Sequence, residues 1–146
     1  MTEDVLSRES IRVGGVAASR DDAIRQAGQL LVDLGAVGAS YVESMLEREG
    51  SVSTYMGNYL AIPHGTNDAK GEIVRSAVSL IRYDQPIDWD GNEVRFAVGI
   101  AGVGDEHLDL LAKLAIVFSD DDQVESLVNA AGPDEIYAIL EEVNVE

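Results

Sequence analysis

Val94-Arg95-Phe96-Ala97-Val98-Gly99-Ile100-Ala101 is apolar at almost every position. A run without alternation reads as a strand covered on both faces. Val74 to Tyr83 is a second β-rich run, and Leu60-Ala61-Ile62 is a short third one stopped by Pro63. Between the two long runs, Pro86-Ile87-Asp88-Trp89-Asp90-Gly91-Asn92 has turn chemistry, so these neighbours pair antiparallel. Arg12 to Val16 reads as a further strand near the start.

The remaining segments have helical spacing. Ser19 is an N-cap with Asp22 three residues on, Ala23, Ala27, Leu30, Leu31 and Leu34 share one face, and Gly35 stops the helix. A second helix spans Tyr41 to Glu49, capped by Ser40, with Val42, Met45 and Leu46 inward and Gly50 after it. Leu108, Leu111, Ala115 and Phe118 mark a third. Ser119 and the aspartates at 120 to 122 start a fourth, with Val124, Leu127, Val128 and Ala131 inward. Gly132-Pro133 breaks the chain before a last helix from Asp134 to about Glu142. The pattern predicts a single α/β domain over residues 1–146, with a mixed parallel/antiparallel central sheet flanked by helices on both faces.

Composition narrows the function. Twenty-seven acidic against ten basic residues give a net charge of −17, which repels nucleic-acid backbones and anionic membranes and attracts basic proteins. The chain has no cysteine, so disulfides, thiolate metal sites and cysteine nucleophiles are excluded. The charged start lacks the apolar core of a signal peptide, and no apolar run reaches the roughly 18 residues of a membrane span. No H-x-x-x-H, HExxH, Gly-x-Ser-x-Gly or Walker pattern occurs.

Three residues stand out. His64 lies in Pro63-His64-Gly65-Thr66, where a strand gives way to a loop. Pro63 stiffens the approach, Gly65 leaves room beside the ring, and Thr66 offers a hydroxyl and an amide. The segment suits a ligand at a strand's carboxyl end, and equally a turn histidine without a role. His107 opens a helix after Gly102-Val103-Gly104-Asp105-Glu106. It is either a satisfied core histidine beside Leu111, Leu114 and Phe118 or part of an anion site, where Asp105 and Glu106 would compete for the amides. Arg48, in the last turn of the second helix, complements the helix dipole or forks onto phosphate oxygens.

Laid side by side, these segments resemble the enzyme IIA components of the bacterial sugar phosphotransferase system, in the mannitol-type branch of the mannitol/fructose family. The resemblance rests on Glu43 through Glu49, Thr54-Tyr55-Met56-Gly57-Asn58, Leu60 through Lys70, Pro86-Ile87-Asp88-Trp89 and Gly99 through Leu114, and covers nearly the whole chain. The Ile-Pro-His-Gly-Thr segment, followed about forty residues later by Glu-His-Leu, is its most specific part.

The resemblance implies a cytoplasmic phosphoryl carrier. His64 would accept the group on Nε2 from HPr and pass it to a cysteine of the IIB domain of a permease. His107 would bind the phosphoryl oxygens, Arg48 would stabilise the transferring charge, and the amides near Gly65 and Thr66 would add donors. Neither metal nor cofactor is implied, and the missing cysteine implies that no IIB domain is fused. Two other classes remain: a regulatory switch like the nitrogen-related IIA branch, and a binding module with an incidental histidine.

Overall fold

The computed structural model describes residues 5–51, 53–104 and 106–141. It is built on five strands: β1 (Ile11–Gly15), β2 (Tyr55–Gly57), β3 (Leu60–Ala61), β4 (Ala77–Trp89) and β5 (Asn92–Ala101). The helices are α1 (Arg20–Asp33), α2 (Tyr41–Ser51), α3 (Glu106–Phe118), α4 (Asp121–Asn129) and α5 (Pro133–Leu140). The sheet order is β1-β4-β5-β3-β2. β1 runs parallel to β4 and β3 parallel to β5, whereas β4–β5 and β2–β3 are antiparallel, giving the expected mixed sheet.

The strand periodicity of two sends alternate residues of β4 and β5 into separate cores. Val78, Leu80, Phe96, Val98 and Ile100 pack with α3, α4 and α5. Ala77, Ile81, Ala97 and Ala101 pack with α1 and α2. Small residues bring α1 close: a Cβ on Gly99 would stand 2.6 Å from Ser79 Oγ, which itself donates to Ala27 O at 2.8 Å. Helices therefore cover both faces, as the unalternating strands require. Among the described residues no helix is long and apolar enough to cross a membrane.

The helix signals for α1 are realised in detail. Ser19 accepts from the Asp22 amide, and Asp22 in turn accepts from Ala18 N at 2.9 Å. At the other end Gly35 takes φ +75°, while the Gly35 and Ala36 amides close back onto Val32 O and Leu31 O.

Other expectations shift. The turn predicted over Pro86–Asn92 contracts to Asp90-Gly91, both at positive φ, and Pro86 to Trp89 stay in β4. Pro86 is tolerated because the β4–β5 register slips between Arg82 and Ile87, where a missing N–H breaks no ladder. Val74 lies outside β4 and is 73% exposed. β2, only three residues long, carries too little pattern to be read beforehand. α3 buries Leu110, Leu114, Val117 and Phe118, leaving Leu108 exposed rather than inward. Ala130, not Ala131, completes the α4 face. Glu142, the expected end of the last helix, lies outside the described residues.

Candidate active site

β3 and β5 run parallel, so their carboxyl ends open on the same side of the sheet. Past β3 the pairing continues through an isolated bridge between His64 and Ile100, and Ile100 N donates to Pro63 O at 3.1 Å. The backbone under His64 is thus an extension of the sheet. α2 ends and α3 begins beside it. Tyr41, Arg48, His64, Gly65, Thr66, Ile73, Gly102 and His107 line a cleft of about 160 Å³. That is below the roughly 300–1,000 Å³ of pockets that enclose a whole small molecule, and suits a small group handed in from outside.

The three candidates found in the sequence meet here. The His64 and His107 ring centroids are 6.5 Å apart, and Arg48 reaches the wall from the last turn of α2. His64 Nδ1 stands 2.9 Å from Ile62 O. A carbonyl oxygen only accepts, so Nδ1 carries the hydrogen and Nε2, across the ring, keeps its lone pair. The His64 pKa is held below 6.5, chiefly by burial; Arg48 and His107 push the same way, while the Ile62 bond and Glu49 oppose them. The imidazole is therefore neutral at pH 7, in the form that attacks an electrophile.

His107 is no satisfied core residue. Among the described residues its Nδ1 is the one buried side-chain polar atom with no hydrogen-bond partner. Such orphans are rare and mark functional sites. An unmet acceptor is more tolerable than an unmet N–H, which favours the hydrogen on Nε2 and makes that nitrogen a donor. Asp105 lies outside the described residues.

Two glycines shape the cleft by close approach. A Cβ on Gly65 would fall 2.5 Å from Tyr41 Cε1 and 2.6 Å from Ser44 Oγ. On Gly102 it would fall 2.3 Å from His107 N. Tyr41, the first residue of α2, is 3% exposed. Its hydroxyl donates to Ile100 O at 2.8 Å and accepts from the Gly65 amide at 2.9 Å. That amide, expected to face a bound anion, is therefore engaged within the wall. A wider groove of about 560 Å³ beside Tyr55 and Tyr59 holds the carboxylates Glu93, Asp121 and Glu125 but no comparable nucleophile.

Fold and cleft together define an α/β domain that gathers two imidazoles and a guanidinium around one small cleft. The chain belongs to the family described as phosphoenolpyruvate-dependent sugar phosphotransferase system, EIIA 2, whose model matches residues 4–143. It is 51% identical over 144 residues to the mannitol-specific phosphotransferase enzyme IIA component of Halalkalibacterium halodurans, covering 99% of each chain. Among solved structures it resembles the IIA chain in the Escherichia coli complex of enzyme IIA-Mtl with phosphorylated enzyme IIB-Mtl, with TM-score 0.87, 33% identity and coverage of 93% and 96%. The nitrogen regulatory protein IIA-Ntr of Neisseria meningitidis is similar at TM-score 0.81 and 29% identity, with the same coverage.

Proposed function

We propose that this chain carries phosphoryl groups in the cytoplasm between HPr and the IIB domain of a mannitol-type permease. His64 Nε2 attacks the phosphorus of phospho-HPr; the new N–P bond forms as the one in HPr breaks. A IIB cysteine thiolate then takes the group, and Nε2 recovers its lone pair. Positive charge and N–H donors must meet the equatorial oxygens during both transfers. Arg48 supplies the charge, His107 Nε2–H one donor, and Thr66 stands on the same wall. The observation that carries this reading is the Nδ1–Ile62 hydrogen bond, which fixes the nucleophilic nitrogen. The identities to mannitol-specific relatives favour that branch over a nitrogen-type switch.

Val74, Val103 and Leu108 directly follow the wall residues Ile73, Gly102 and His107, and are 73%, 46% and 58% exposed. A partner protein would seat on these exposed apolar side chains. Incubation with phosphoenolpyruvate, enzyme I and HPr tests the reading. An acid-labile phosphate is expected on the wild type and absent in His64→Ala, and the charged protein is expected to discharge onto a mannitol IIB domain. Phosphorylation without discharge would instead favour the regulatory switch.

A further inference from the structure

Among the described residues Glu49 is the one charged side chain that is fully buried, at 3% exposure. An apolar residue would be the less costly choice there, since a buried carboxylate must recover its hydration from protein donors. Glu49 does so with three donors. Oε2 accepts from Thr54 N at 2.8 Å and from Trp89 Nε1 at 3.0 Å, and Oε1 accepts from Thr54 Oγ1 at 2.5 Å. Thr54 and Trp89 are themselves buried, at 5% and 0%.

The grip on Thr54 leads into the cleft. Thr54 O accepts from Ile62 N at 3.1 Å, and Ile62 O is the partner of His64 Nδ1. Glu49 also shares the last turn of α2 with Arg48, its neighbour in the chain. We propose that Glu49 is a positioning residue: through Thr54 and Ile62 it fixes the His64 ring with Nε2 toward the cleft, from the same helical turn that presents Arg48. This rests on His64 being the acceptor, and adds the element that sets its orientation. The role belongs to the hydrogen-bonding shape of the side chain. A glutamine can occupy it, its oxygen taking both N–H donors while its NH₂ donates to the Thr54 hydroxyl.

The test compares Glu49→Leu with Glu49→Gln by two readouts. Imidazole ¹⁵N NMR reports the His64 tautomer without any phosphoryl donor. Wild type and Glu49→Gln are expected to show His64 held in the Nδ1–H form, and Glu49→Leu a mixture of tautomers. Exchange with phospho-HPr is expected to fall about 10- to 100-fold in Glu49→Leu, the scale of an ångström-size misplacement of a reacting group, and to recover in Glu49→Gln. A folded Glu49→Leu protein with the wild-type tautomer and rate would overturn the proposal, as would Glu49→Gln behaving like Glu49→Leu. If Glu49→Leu does not fold, Thr54→Val takes its place: tautomer mixing supports the anchor, and an unchanged His64 spectrum overturns it. If the wild type accepts no phosphoryl group, the functional reading falls, while the NMR comparison still decides the anchor.

Discussion

His64 is neutral because it is mostly withdrawn from water, and this ties stability to pH. Its folded pKa lies below the unfolded value of 6.5, so in that window the unfolded chain binds more protons. Stability from this residue is complete above about 6.5 and is lost as pH falls toward the folded value. Denaturant melts of wild type and His64→Gln should diverge in slope there, with the variant less sensitive to acid; parallel slopes would remove burial as the cause. Arg48→Lys keeps charge but loses the two-pronged grip on oxygens, so it should slow phosphoryl exchange far more than it lowers the melting midpoint. Equal losses would return Arg48 to a helix-end role. His64, His107 and Arg48 were legible because the chain holds two histidines and the arginine stands at a helix end. Tyr41 and Glu49 were not, since a tyrosine and a glutamate on an amphipathic helix read as packing and as solvated surface. Their spacing with Met45, four residues each way, places all three on the buried face of α2, and that was the available signal.

At the scale of elements, the helix count follows from pattern, and the faces less so. α3 carries Leu108, Leu110, Leu111, Leu114, Ile116, Val117 and Phe118, apolar nearly all round, so its inward face is chosen by the sheet it meets. Leu108, next in the chain to His107, is thereby left exposed. Leu108→Asp should raise KM for phospho-HPr with stability changed by no more than about 0.5 kcal/mol, the usual range for surface substitutions. A deeper junction joins β4 to α4. Arg82 Nη1 donates to Leu127 O at 2.9 Å and Ala130 O at 2.7 Å, closing the carbonyl end of that helix. Arg82→Met should lower unfolding free energy by about 2 kcal/mol in urea melts while sparing exchange. Nothing in the local sequence of β4 announces that contact, because its partners lie more than forty residues away.

Over the whole molecule, one sheet separates two apolar cores, and the acidic excess is left to the surface. A net charge of −17 should draw a basic docking face on HPr and set the association rate by long-range attraction. Stopped-flow rates should fall steadily as salt shortens the reach of the field, and a flat dependence would discard this account. On the proposed reading, supplier and recipient share one loading point in the narrow cleft at His64, so they cannot be seated together and must alternate. An excess of either uncharged visitor would block the dock, and throughput would pass through a maximum as its concentration rises.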